Sequence, residues 1–391
     1  MYDFDELIDR SHTDCVKYDL RESVFGRKDV IPMWVADMDF RTPPFVLKAL
    51  EEKIEQGILG YSFRPEGYFT SLIGWIRNHH NWEVKKEWIV FSPGVVPALN
   101  MCTLAYTDPG DEIIIQPPVY TPFFGAVEDH GRKLVFNNLR ETENGWRMDT
   151  EDLKKKISTH TRMIILSNPH NPVGKAWSAG ELTEVAEICR GKNIVVLSDE
   201  IHCDLMMPGN KHVPFASVSP EAAAMSVTCM APSKTFNLAG LSTSSIIISD
   251  KILRDRFHST ITGLHMHLGN IFGNVASETA YTYGAGWLKE LMSYLKDNVD
   301  LVFEYCRTEM PVIRPVKPEA TYMIWLDCRS LKMNGSSLQR FFVEKAGVGM
   351  NEGSTFGPGG EGFMRMNVAC PRATLQKALD QINEAIKTLN L

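Results

Sequence analysis

Between Trp88 and Ser249 short β-branched runs alternate with amphipathic stretches, and this alternation restricts the possible folds more than any other feature of the chain. WIVFS is followed by a helical pattern from Val95, EIIIQ by a helix-like stretch from Thr121, and RMIILSN by a helical pattern starting near Ser178. IVVLSDEI, AMSVTCMA and STSSIIIS complete the series, each run apolar and bounded by Gly, Pro, Asn or Asp. A strand that is apolar at successive positions needs cover on both faces. The pattern therefore predicts an α/β fold with a mostly parallel sheet and helices on either side. Ligands of such sheets gather beyond the carboxyl ends of the strands, so the residues where each run stops are the first candidates for a site.

After Ser249 the pattern changes to long helical stretches, roughly 251–259 and 269–310, then to a shorter set of strands and helices from Tyr322 onward. A helix near Pro43 to Gln56 and a strand-poor arm precede the alternating region. A chain of 391 residues exceeds what one core sustains, so two lobes are expected. The predicted division is 1–45 for an N-terminal arm and part of a small domain, 46–284 for a large domain, and 285–391 for a small C-terminal domain. The smaller α/β unit would then be built from both chain ends.

Composition excludes several partners. No apolar run approaches the ~18 residues of a membrane span, and the start, MYDFDELIDRSHTD, has neither a basic nor an apolar targeting region. A cytosolic location without membrane contact is expected. A net charge of −7 lacks the basic footprint of a nucleic-acid binder. The eight cysteines are scattered without a CxxC pair, which predicts reduced, mostly buried thiols.

Four features at run ends carry chemistry. Asp199 closes VVLSDE, where a carboxylate faces a ligand crevice and needs a cation; a protonated pyridine nitrogen is one, and a plain helix-capping role is the alternative. Lys234, in APSKTFNLAGL after SVTCMA, is out of place as a buried lysine unless it works as a neutral amine; otherwise it is a snorkelling surface lysine. SNPHNPVG follows MIIL, and its two Asn-Pro pairs enforce an extended loop that holds the Asn171 amide in a fixed pose or forms a simple turn. FSPGVVPALN runs from a strand through Gly94 into a helix whose first amides suit a phosphate, although any strand-turn-helix can carry a glycine.

Taken together, Gly94-Val95-Val96, Tyr120 in QPPVY, Asn171 in NPHNPVG, Asp199 in SDEIH and Ser233-Lys234 resemble the fold-type I, pyridoxal-phosphate-dependent aminotransferase superfamily in order and spacing, over nearly the whole chain. PMWVADMDF (32–40), SDEIHCDL and SKTFNLAGL look most like its cystathionine beta-lyase branch, the MalY/PatB-like carbon-sulfur lyases. The resemblance implies pyridoxal 5'-phosphate as cofactor, Lys234 as its Schiff-base and proton-transfer residue, and Asp199 on the ring nitrogen. It implies Asn171 and His202 near the phenolic oxygen, Tyr120 stacked on the ring, and the phosphate on the amides after Gly94 beside Ser233. Tyr61 in GYSFRPEGY matches a tyrosine that reaches the neighbouring subunit's phosphate, which implies a homodimer with a shared site. Arg365 in FMRMNVA matches the arginine that grips the substrate α-carboxylate, with a surface strand arginine as the alternative. Ala36 and Trp34, inside PMWVADMDF, fall on the substrate side with Asn171.

The resemblance implies β-elimination on cystathionine or another S-substituted cysteine, giving pyruvate, ammonia and a thiol. An aminotransferase is the rival reading, and a non-catalytic regulatory protein a distant third. Departures from the wider superfamily leave the phosphate shell open: Ala231 stands where a serine is usual, and Ser242 where an arginine is. GPGGEG precedes a strand instead of linking strand to helix, so it is no dinucleotide loop. His79, His80, His265 and His267 are expected to be ordinary histidines, because no Cys, Asp or Glu cluster is foreseen beside them and no metal is called for.

Overall fold

A computed structural model describes residues 2–143 and 145–389. Seven strands form the central sheet: β1 (Ile89–Ser92), β2 (Glu112–Ile115), β3 (Lys133–Phe136), β4 (Thr161–Ser167), β5 (Val195–Asp199), β6 (Ser226–Met230) and β7 (Ser244–Ile247). Their spatial order is β1-β7-β6-β5-β4-β2-β3. All neighbours in this sheet pair in parallel except β7, which is antiparallel to both β1 and β6.

The continuous apolar runs follow from cover on both faces. Along β4, Met163 and Ile165 pack with Leu99 and Cys102 of the helix Val95–Tyr106 and with Phe257 of the helix Lys251–Gly263. The alternate residues Ile164 and Leu166 point the other way, to Trp177 and to Leu182 and Val185 of the helix Ala179–Cys189. Ser178 opens that last helix with a capping box completed by Glu181, as the predicted start near Ser178 requires.

A second, antiparallel sheet has the order β8-β9-β11-β10, with β8 (Arg314–Val316), β9 (Met323–Asp327), β10 (Asn351–Glu352) and β11 (Phe363–Asn367). Ile31–Pro32 of the N-terminal arm pairs in parallel with Val348–Gly349, so the two chain ends are joined. A third cluster of buried residues runs from Phe4 and Phe40 through Phe236 and Trp287 to Met364 and Leu375, and it ties the second sheet to the first without a break. Among the described residues no helix is long and apolar enough to cross a membrane. Seven of the eight cysteines are buried, Cys15 is half-buried, and all are free thiols.

Two expectations about elements need correction. The stretch 269–310 is two helices, Ile271–Tyr283 and Ala285–Thr308, separated at Gly284. A Cβ at Gly284 would stand 2.3 Å from the Phe236 ring, so close packing of the lysine-bearing segment dictates the glycine there. The edge strand β3 and the hairpin of Arg140–Thr142 with Gly145–Arg147 were not foreseen; these short segments are largely exposed or half-exposed, and the hairpin lacks a continuous apolar run.

Candidate active site

The carboxyl ends of β1, β4, β5 and β6 open onto one cavity of about 210 Å³. In register, Ser167 lies beside Asp199 and Asp199 beside Cys229, so three neighbouring strands stop at the same level. Asp199 and Asn171 line the cavity, as do His202, Ser233 and Lys234. Gly94, Val95, Val96, Tyr120 and Ala36 line it as well. Ten of the residues singled out from sequence therefore share one space.

Each is placed by its local structure. Lys234 sits in a single helical turn, Pro232–Thr235, directly after β6, with Pro232 suited by its fixed φ to the first helical position. Its Nζ donates to the Ala36 carbonyl at 2.6 Å. Asn237, left-handed at φ 58°, bonds the amide of Met38 and the carbonyls of Met38 and Phe40, fastening the 34–40 segment to the lysine turn. Asn171 is fixed by its amide on Ser167 Oγ and by Arg365 Nη1 on its side-chain oxygen at 3.0 Å.

The electrostatics follow from burial. Loss of water pushes the Asp199 carboxyl up to about 7, against the single hydrogen bond it takes from the Ile201 amide at 3.2 Å and the pull of Lys234. Burial brings Lys234 down to about 8, although Asp37 and Asp199 favour its charge. His202 is held down at about 3 by burial and by the positive Lys234 and Arg365, so it is a neutral imidazole. Arg365 is buried and brought down to about 10; it bonds Asn171, the Trp34 carbonyl and Asn351, and among the described residues it meets no carboxylate.

These residues fit pyridoxal 5'-phosphate. The helix Val95–Tyr106 begins without a side-chain cap after Gly94, whose φ of 144° excludes most side chains, so its first amides are free for an anion. Ser233, Ser242 and Thr243 line the same cavity. Asp199 is a buried carboxylate short of a cation, and among the described residues the buried His202 Nδ1 has no partner. The Lys234 side chain lines the same cavity.

Two expectations, those for Trp34 and for His80, meet a different arrangement. The Trp34 ring does not line the cavity: its N–H needs an acceptor, finds the Lys17 carbonyl at 3.0 Å, and the ring packs edge-on against Phe25. Trp34 reaches the site through its carbonyl, which accepts from Arg365. Tyr61 is 99% exposed and lies outside its own chain's cavity. His80 does have acidic and thiol company, since its ligating atoms and those of Cys203 and Asp204 lie within 4.8 Å of one another. Asp204 is nevertheless engaged at both oxygens, by Trp75, His80 and Thr235, so the cluster is a hydrogen-bond network. Sequence reasoning missed Asn237, Asn351, Asn367, Thr243 and Tyr322. Asn237 alone left a trace, three residues after the lysine.

Comparison with known proteins places this arrangement. The family "Aminotransferase class I and II" matches residues 28–382. The chain is 44% identical to cystathionine beta-lyase PatB of Bacillus subtilis, over 98% of this chain and 99% of the relative. Among solved structures it is similar to cystalysin of Treponema denticola with its pyridoxal 5'-phosphate, at a TM-score of 0.97 and 34% identity over the whole of both chains. It is similar also to the cofactor-bound C-S lyase of Staphylococcus hominis, at 0.92 and 33% over 98% of each.

Proposed function

The chain belongs to the aminotransferase class I and II family, and from that premise we propose that it is a pyridoxal-phosphate enzyme cleaving the carbon-sulfur bond of cystathionine or another S-substituted cysteine. The products are pyruvate, ammonia and a thiol, which is homocysteine when cystathionine is the substrate. The observation that carries the reading is the half-buried Lys234, its amine brought by desolvation to about 8, on the wall of a cavity that also holds Asp199 and a free helix N-terminus.

When bound, the cofactor supplies a carbon that takes up the substrate amine and a ring that withdraws electrons from Cα. The chain's residues then have separable roles in this reading. Asp199 offers a carboxylate to the ring nitrogen and keeps a proton there. Asn171 and His202 flank the phenolic oxygen, with Tyr120 against the ring. The amides of Val95 and Val96 with Ser233 would take the phosphate, and Ser242 and Thr243, which also line the cavity, would complete its shell where the usual arginine is missing. Arg365, a fork with no carboxylate of its own and an unpartnered Nε, receives the α-carboxylate. Lys234 takes the Cα proton: an amine of pKa near 8 is neutral often enough at physiological pH to act as a base. Loss of that proton leaves electrons that expel the thiolate from Cβ.

The working unit in this reading is a homodimer. Tyr61 at 99%, Phe63 at 82% and Ile58 at 78% exposure form an apolar run that a second copy would cover, bringing Tyr61 to the neighbour's phosphate. Free thiols throughout suit a reducing cytosol. The division at 45/46 and 284/285 is retained, with the paired chain ends as the smaller unit.

The test is to supply cystathionine with no keto acid, and to follow thiol by a thiol reagent and pyruvate by lactate dehydrogenase. Wild type should release both together and Lys234→Ala neither. Amino transfer to an added keto acid without thiol release would make the protein an aminotransferase.

A further inference from the structure

The Ala36 carbonyl is shared. It accepts from Lys234 Nζ at 2.6 Å and also from the hydroxyl of Tyr322 at 3.0 Å. It has little freedom to move, because its neighbours are held on all sides. Arg365 takes the Trp34 carbonyl, Asn367 takes those of Val35 and Asp37, and Asn237 takes that of Met38. Ala36 thus presents a fixed acceptor at the cavity wall.

Tyr322 is placed with equal care. It is fully buried, its ring lies edge-on to His202, and the preceding Thr321 is held at φ 72°, a left-handed conformation that a β-branched residue adopts only under constraint. The Thr321 amide bonds the Leu205 carbonyl at 2.7 Å and keeps it there. Strain one residue from a hydroxyl that bonds a cavity-lining carbonyl points to a role beyond packing.

We propose that Tyr322 is a positioning residue for Lys234, its hydroxyl sharing the Ala36 carbonyl so that the free amine has a fixed resting place but only part of that oxygen's acceptor capacity. The inference rests on the reading of Lys234 as the proton-transfer group. A carbonyl stabilises an ammonium more than an amine, so an undivided Ala36 oxygen would favour the charged lysine and leave less of it as free amine at a given pH. A second donor on the same oxygen draws off electron density and opposes that bias. The other groups acting on Lys234 are Asp37 and Asp199, which favour its charge, and Arg365, which opposes it. Tyr322 in turn faces Asp37, Arg365 and Tyr120.

The test uses the full chain freed of cofactor, with folding checked by circular dichroism and by return of the visible absorbance when cofactor is added back. Acylation of Lys234 by an amine reagent is followed against pH by peptide mass spectrometry. In Tyr322→Phe the midpoint should rise from about 8 by roughly half a unit to one unit, which lowers labelling at pH 8 about two- to sixfold. With 3-fluorotyrosine at position 322, a stronger donor of nearly the same shape, the midpoint should fall instead. An unchanged midpoint in the folded phenylalanine variant, or in the fluorinated protein should the phenylalanine variant not fold, overturns the proposal. No substrate enters this measurement, so a wild type that releases no thiol would defeat the lyase reading and leave the labelling result standing.

Discussion

Arg365 Nη1 donates to the Asn171 side-chain oxygen at 3.0 Å, joining the last strand of the second sheet to the loop that leaves β4 of the first. Asn351, directly opposite Arg365 in the sheet register, and the Trp34 carbonyl complete the cradle of the guanidinium. The Phe356 ring lies 4.8 Å below it.

That cradle fits a planar fork and not a point charge. Arg365→Lys is expected to keep the positive charge and lose the bidentate geometry, lowering kcat/KM roughly 10- to 100-fold, as the loss of one or two charge-assisted bonds would. The loss should fall mainly on KM, and the visible absorbance of the cofactor should stay. Steady-state kinetics of thiol release check this, and unchanged kinetics would remove Arg365 from substrate binding.

Asp199 gives a pH prediction for the cofactor-free chain. Its carboxyl stands at about 7 when folded and near 3.9 when unfolded, so the folded chain holds the extra proton between those values. Stability from this group is therefore lost as pH rises from about 4 to 7, by an amount on the order of a few kcal/mol. Asp199→Asn has the same shape and no charge, so without cofactor it should melt higher than wild type at pH 8, with the gap closing toward pH 5. Adding cofactor, which brings a cation to the carboxylate, should raise the melting temperature of wild type more than that of the variant. Parallel melting curves at the two pH values would contradict this account.

How far the sequence revealed this site depends on which contacts are local. Gly94, Asn171, Asp199 and Lys234 each stand at the end of an apolar run, and period and punctuation alone locate such positions. The parallel sheet was legible for the same reason, since strands covered on both faces lose their polar alternation. The Ala36 carbonyl, Tyr322 and Asn367 were not legible, because they meet across separations of 198 to 332 residues and one of the partners is backbone. Trp34 was misjudged in direction: its motif position was informative, but the Lys17 carbonyl that captures its N–H lies in an arm with no strong pattern. Asp204 was overlooked because its three donors come from two other segments, the helix Glu66–His80 and the turn bearing Lys234.

Asp204 carries a stability prediction of opposite sign to Asp199. Burial alone would raise its carboxyl, but hydrogen bonds from His80, Thr235 and Trp75 outweigh it and bring the group down to about 2. Its contribution is present above the unfolded value of about 3.9 and is lost as pH falls from there to 2. In Asp204→Asn one oxygen becomes a donor, so at least one of the three buried donors loses its acceptor, at a cost of about 1–3 kcal/mol. A melting temperature lower by a few degrees is expected at pH 7. Because Thr235 adjoins Lys234, cofactor affinity should weaken too, as titration of the visible absorbance would register. An unchanged melting temperature would show that the network tolerates the amide.

Tyr61 supplies the test of the shared site. In this chain its side chain is 99% exposed and far from any role in its own cavity, which on the dimer reading belongs half to the neighbour. Tyr61→Ala and Lys234→Ala should each be nearly inactive alone, for unrelated reasons. When the two are unfolded and refolded together in equal amounts, half of the dimers are mixed. Each mixed dimer joins an intact Lys234 to an intact Tyr61 at one of its two sites, so activity should recover to roughly a quarter of wild type. Mixing the already folded dimers should restore little until subunits exchange. Failure to recover after co-refolding, with both variants shown to be dimeric, would confine each site to a single subunit and leave the exposed run at 58–63 without a catalytic purpose.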